Sequence, residues 1–195
     1  MKNKVIILIV SIVFIYVTIQ LIKKINWNSK HEVGEVLDSL NGIKVYYNGG
    51  VSNSEERNLS KDGYNIGMKY QCVEFIKRYY YECLKHKMPD TFGNAVDFYD
   101  KKLQDGTLNL KRNLIQYSNP SKIKPKVNDI IIFDKTFFNS YGHVAIVTKV
   151  YVNYIEIIQQ NPGPFGKSRE QILLKQLNNL WIIKNNRVLG RLSIN

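Results

Sequence analysis

The stretch "GMKYQCVEFIKRYYYECLKH" (Gly67–His86) holds both cysteines of the 195-residue chain, Cys72 and Cys83. Cys72, Ile76, Tyr79, Tyr80, Cys83 and Leu84 recur at helical spacing, which predicts a helix from near Gln71 with one buried stripe. Pro89 closes the segment. Eleven residues separate the two cysteines. At about 100° per residue both point from one face, and at 1.5 Å per residue they stand about 16 Å apart. A disulfide requires Cα atoms within about 7 Å, so the two cannot pair within a helix. Either both belong to the core, or one is core and the other does chemistry.

Outward from this helix the pattern changes. Upstream, "GIKVYYNGG" (Gly42–Gly50) predicts a short strand and a Gly turn, followed by a polar loop, "VSNSEERNLSKDGYNIG" (Val51–Gly67). Downstream, Asn94–Leu103 predicts a second helix. "DIIIFD" (Asp129–Asp134), "GHVAIVTKVY" (Gly142–Tyr151), "YIEIIQQN" (Tyr154–Asn161) and "LWIIKN" (Leu180–Asn185) are rich in β-branched and aromatic residues and predict strands. "SREQILLKQL" (Ser168–Leu177) is expected to be a short helix between the last two. Helices first and an antiparallel sheet afterwards imply an α+β domain.

The N-terminus differs in kind. Val5–Ile22 is an uncharged apolar run, flanked by Lys2 and Lys4 before it and Lys23 and Lys24 after it. Its length is near the minimum for a membrane-spanning helix, and no small-x-small cleavage site follows. The expectation is an uncleaved single-pass anchor over residues 1–24, a linker over 25–33 and one domain over 34–195. A cleaved signal is the alternative. The flanking lysines nearly balance across the span; a short basic head before an anchor favours an extracytoplasmic domain.

The chain carries a net charge of +12. Residues 1–24 contain four Lys and no acid, which leaves twenty-four basic and sixteen acidic residues, or +8, on the rest. Such a surface suits anionic partners. No nucleic-acid-binding motif, metal-ligand cluster or cofactor signature is visible, so no nucleic acid, metal or cofactor is expected.

A free Cys is ordinarily a small buried hydrophobe, and that reading suits Cys83. Cys72 instead opens the helix, where unpaired N–H groups and the helix dipole favour an anion; its thiol pKa is expected to fall. A nucleophilic thiol needs a base. His31 lies in the linker, and His86 is on the same helix about four turns away. His143 opens a strand directly after Gly142, where it can reach a helix N-terminus.

Taken in order, "GMKYQCVEF", "NDIIIF", "YGHVAIVTKV" and "IEIIQQN" resemble the CHAP family of cysteine- and histidine-dependent amidohydrolases and peptidases. They come nearest to its subgroup, the amidase domains of glutathionylspermidine synthetase/amidases. The resemblance runs from about Gly34 to the C-terminus. It implies a papain-like α+β fold, with Cys72 as nucleophile and His143 as general base and then acid. In the amidase subgroup the third motif ends Glu-Gln-Asn; here Gln159, Gln160 and Asn161 stand in those places. The resemblance thus makes Gln159 the residue that orients the imidazole, without the full charge of an acid. Asn128 replaces the Gly usual before the first core strand, and Asn tolerates a left-handed backbone. Tyr70 stands where the subgroup often has Trp and is expected on the substrate wall. Gln71 and the Cys72 N–H are expected near an oxyanion, with Asn161 close to the substrate.

Strand parity tests the assignment of Gln159. A hairpin centred on Tyr151 sets Gln159 opposite His143 but makes Lys149–Asn153 a five-residue, unusually apolar loop. A two-residue turn at Val152–Asn153 pairs Glu156 with Lys149 and puts Gln160 on the His143 face. Gln160, Glu156 and Asn161 therefore remain alternatives to Gln159. The expected chemistry is hydrolysis of a C–N amide bond by a Cys–His thiolate mechanism. Peptidoglycan is the first substrate class and a peptide–polyamine conjugate the second; Glu74 and Asp129 are candidate acids for a polyamine. A non-catalytic anchored binding module is the remaining reading.

Overall fold

In the computed structural model, residues 2–194 are described. Helix α1 spans Lys2–Ile22 and buries none of its residues. Strands β1 (Val36–Leu40) and β2 (Ile43–Tyr46) form one antiparallel hairpin, and β3 (Arg57–Leu59) and β4 (Asn65–Met68) a second. Helix α2 follows at Cys72–Glu82, with Gln71 at its N-cap. After a single 3₁₀ turn, Ala95–Phe98, come β5 (Thr107–Asn109), β6 (Leu114–Ser118), β7 (Ile130–Phe133), β8 (His143–Val150), β9 (Tyr154–Ile158), β10 (Arg169–Leu177), β11 (Leu180–Ile183) and β12 (Val188–Ser193). These eight strands make one antiparallel sheet in the order β11-β10-β9-β8-β7-β12-β6-β5.

The sheet has two apolar faces. Phe75, Ile76, Tyr79 and Tyr80 of α2 pack on Ile130, Ile132, Val144, Ile146, Ile158 and Leu192. On the opposite face, Ile131, Phe133, Ala145, Val147, Ile155, Ile157, Ile172 and Leu174 form a second cluster. Successive side chains of a strand point to opposite faces, so β7, buried on both, is apolar at every position. The sheet curls toward closure: Ser121, just after β6, exchanges backbone hydrogen bonds with Trp181 of β11. Cys83 sits half-buried at the edge of the α2 core, as the stripe predicts.

Three sequence expectations are corrected. The polar loop at 51–67 contains the β3–β4 hairpin up to Gly67. The helix expected at 94–103 is only the 3₁₀ turn. Asn109 Nδ2 donates to the Phe98 carbonyl at 3.1 Å, and Gln116 Oε1 accepts the Asp100 N–H at 2.9 Å; these side-chain bonds take the backbone groups that would continue a helix. The helix expected at 168–177 is β10, paired to β9 and β11. Ile172 and Leu174 are buried while Gln171, Leu173 and Lys175 are exposed, a period of two that the adjacent Leu173 and Leu174 hide. The segment after α1 is hydrogen-bonded to the domain: Ser52 N–H donates to Lys23 O at 3.1 Å, Tyr47 Oη to Asn26 Oδ1 at 2.7 Å and Asn28 Nδ2 to Pro164 O at 3.0 Å.

Candidate active site

The β8–β9 connection settles the parity question in an unexpected way. Tyr151 N–H donates to Tyr154 O at 2.9 Å across a two-residue turn at Val152–Asn153. Lys149 pairs with Glu156, as a tight turn requires, but the register then shifts between Lys149 and Val147. The extra residue, Thr148, makes a β-bulge. A one-residue slip reverses which side chains share a face. The turn is therefore tight, and Gln159 still comes to the His143 side. Glu156 faces away, bonded to Thr148 Oγ1 at 2.8 Å and to Arg169 Nη1 at 3.2 Å.

His143 opens β8 after Gly142, whose φ is +75°. A Cβ there would lie 2.8 Å from Phe133 O and 3.0 Å from Val96 N, so only Gly allows the strand to start this close. His143 Nε2 is 2.9 Å from Gln159 Oε1. Gln159 Nε2 donates to Lys167 O at 3.0 Å and lies 3.4 Å from Glu170 Oε2. A backbone carbonyl can only accept, so it orients the amide with its oxygen toward the imidazole. His143 must then carry its proton on Nε2, which leaves Nδ1 as the free lone pair. Burial pulls the imidazole pKa down to about 4; the Gln159 bond opposes this and the Arg187 charge adds to it.

Cys72 is the first residue of α2 and is 7% exposed. Backbone N–H groups of Val144, the residue after His143, and of Val73 and Cys72 itself act to lower its thiol pKa. The helix start thus lies against the start of β8. The expected drop in thiol pKa is not found: burial outweighs these donors and pushes it up to about 11. Thiol and imidazole are both neutral at pH 7.

Gln160 points the other way and ties α2 to the rest of the fold. Its Nε2 donates to Glu74 Oε2 at 2.8 Å and to Gln71 O at 3.0 Å; its Oε1 accepts the Tyr46 N–H at 2.8 Å. Glu74 also pairs with Arg78 at 2.7 Å. Asp129 is equally enclosed, bonded to Arg191 and Ser193. Both carboxylates are buried and paired, so neither can serve a polyamine.

A cleft of ≈ 340 Å³ is lined by Cys72, Gln71, Arg57, Phe92, Tyr141 and Asn161, among others. A hollow of ≈ 310 Å³ surrounds His143, Gln159, Glu170 and Arg187. Val51, Asn139 and Asn161 line both. Asn161 has φ +56° and donates through Nδ2 to Val51 O and Gln71 Oε1; its buried Oδ1 has no partner among the described residues. Tyr70 lies outside the cleft, its ring 5.0 Å from that of Tyr46. Sequence reasoning missed Thr148, Arg57, Arg187 and Glu170. A bulge has no residue signature, and the other three lie outside the motifs in segments with no distinguishing pattern. No group of three or more His, Cys, Asp or Glu that could hold a metal occurs among the described residues.

The family model described as CHAP domain matches residues 62–161. Trypanothione synthetase of Crithidia fasciculata is 32% identical over 108 residues, covering 55% of this chain and 16% of that protein. The bifunctional glutathionylspermidine synthetase/amidase of Escherichia coli K12 is 31% identical over 108 residues, 52% of this chain and 17% of that protein. Endolysin PlyTW of Staphylococcus phage Twort is 29% identical over 107 residues, 55% and 19%. The chain thus spans less than a fifth of each relative. The crystal structure of Ly7917 superposes on 64% of this chain and 53% of its own with a TM-score of 0.36 at 16% identity, a likeness too loose to bear on the fold.

Proposed function

Because the chain belongs to the CHAP domain family, we propose that Cys72 and His143 hydrolyse an amide bond in peptidoglycan, on a papain-like domain anchored by α1. The observation that carries the reading is the orientation of Gln159, which commits His143 Nε2 to a hydrogen bond and leaves Nδ1 free. Nδ1 takes the proton of the Cys72 thiol as sulfur attacks the amide carbonyl. As the carbonyl oxygen gains charge, the Cys72 N–H at the helix start stabilises the oxyanion. Nδ1–H then protonates the leaving amine, and a water deprotonated by His143 cleaves the thioester and restores the thiol. Since both groups rest neutral, proton transfer accompanies attack. Helix α1 has 21 residues and holds an 18-residue window with a mean hydropathy of 2.9; it is about 32 Å long at 1.5 Å per residue, enough for a bilayer core.

The endolysin relative favours a wall substrate. The synthetase/amidase relative favours a second reading, cleavage of a peptide–polyamine conjugate. The enclosure of Glu74 and Asp129 weighs against it. Purified full-length protein in detergent, incubated with peptidoglycan and in parallel with glutathionylspermidine, separates the two by amine release. Amine released from peptidoglycan, reduced at least about 1,000-fold in Cys72→Ala, is the expected result. Release from the polyamine conjugate alone would sink the wall reading, and release from neither would favour the non-catalytic module.

A further inference from the structure

The Cys72 cleft is electrostatically one-sided. Among the described residues no Asp or Glu lines it, and Arg57 is its only charged lining residue. Arg57 makes no ion pair among the described residues. It is nonetheless held in place. Nη1 donates to Asn65 Oδ1 at 3.0 Å, and the guanidinium lies 5.7 Å from the Phe92 ring centroid. Asn65 is itself buried and fixed by Nδ2 donating to Thr91 O at 3.0 Å. The guanidinium is therefore pre-positioned on the cleft wall, with donors to spare.

Two more cations stand behind that wall. Lys77, 1% exposed, donates to Thr91 O at 2.9 Å and to Asn65 O. Arg112 donates to Asp90 O at 2.5 Å and Phe92 O at 3.1 Å. Asp90 and Asp97 act on Arg112 electrostatically, and neither lines the cleft. Burial, then the Arg112 and Arg57 charges, lower the Lys77 pKa to about 8. Asp90 offsets part of the charge at both Lys77 and Arg112, which leaves Arg57 as the cation that faces the cleft.

We propose that Arg57 binds a free carboxylate on the substrate, so that this cleft selects peptides bearing an acid near the scissile amide. A planar guanidinium matches a carboxylate in two-point geometry, whereas a polyamine arm in the same space would meet a cation with no acid to offset it. The inference rests on the cleft being an amide-hydrolase site, and it names that site's substrate class.

The test uses two stem peptides of one sequence, one with a free side carboxylate and one with the corresponding carboxamide. Full-length protein in detergent should cleave the free acid with a kcat/KM about 10- to 100-fold higher, the range of a hydrogen-bonded charged contact, carried mainly in KM. Arg57→Gln should bring the two peptides to within about threefold of each other. A wild type without preference, or an Arg57→Gln variant that keeps it, would overturn the proposal. Calorimetric binding to Cys72→Ala, with and without Arg57→Gln, reads the same preference without turnover. If neither peptide is cleaved, the hydrolase reading fails on its own. Tighter binding of the free acid that Arg57→Gln abolishes would still support the carboxylate site, and equal binding would remove it.

Discussion

Gln159 and Gln160 are chemically identical neighbours, both nearly inaccessible to water, yet they do different work. Gln159 faces His143 and fixes a tautomer. Gln160 faces α2 and joins Glu74, the Gln71 carbonyl and the Tyr46 N–H into one buried network. What separates them is strand parity, which the extra residue at Thr148 sets. One side of the chain here holds reactive geometry, and the other holds the helix that supplies the nucleophile. A site of this kind depends on both sides, but mutations on them should fail in different ways.

The sharpest way to break the contrast is to truncate each glutamine. Gln159→Ala should lower kcat/KM on the order of 100-fold, because the imidazole loses its orienting acceptor, with a smaller fall in the urea midpoint than Gln160→Ala, since it frees two bonds rather than a network around an ion pair. Gln160→Ala should lower stability by about 1–3 kcal/mol through the unmet buried groups, with a smaller loss of turnover. Urea denaturation alongside steady-state kinetics separates the two; matching losses in both readouts would mean that the glutamines act as one unit.

Gln159→Glu sharpens the catalytic side. A carboxylate next to the imidazole favours its charged form, so the His143 pKa should rise from about 4. The proton-accepting form is the neutral one. The acid limb of the kcat/KM profile should therefore move to higher pH, with activity at pH 5 falling relative to pH 7. Higher activity at pH 5 would instead identify a thiolate–imidazolium pair as the working form.

The smallest expected effect concerns the two ends of α2. With its thiol pushed up to about 11, Cys72 should alkylate slowly at pH 7 and faster as the pH rises toward 11. Mass spectrometry of the labelled peptides distinguishes it from Cys83. Rapid labelling of Cys72 below pH 8 would show that the donors at the helix start outweigh burial.

The candidate pair was legible because short-range signals mark it. Cys72 comes at the start of a periodic helix, and His143 follows a Gly that the close approach to Phe133 requires. The strands at 129–134, 142–151 and 154–161 were legible from β-branched runs. The segments at 94–103 and 168–177 were misread because the deciding interactions are distant. Side chains of Asn109 and Gln116 stop the first helix, and pairing with two strands makes the second segment a strand. The thiol shift was misjudged because the dipole of a helix start can be inferred locally, whereas burial cannot.

The sequence by itself determined the apolar N-terminal helix, the stripe that buries α2, the absence of a disulfide within that helix, and the family to which Cys72 and His143 point. The first three follow from spacing along one segment, and the family follows from the resemblance of four motifs taken in order. Only the tertiary structure decided which glutamine faces the imidazole, that Glu74 and Asp129 are sealed in buried pairs, that Tyr70 lies off the cleft, and that Arg57 stands in it without an acid. Those outcomes depend on register, burial and through-space charge, which arise when segments far apart in the chain are packed together.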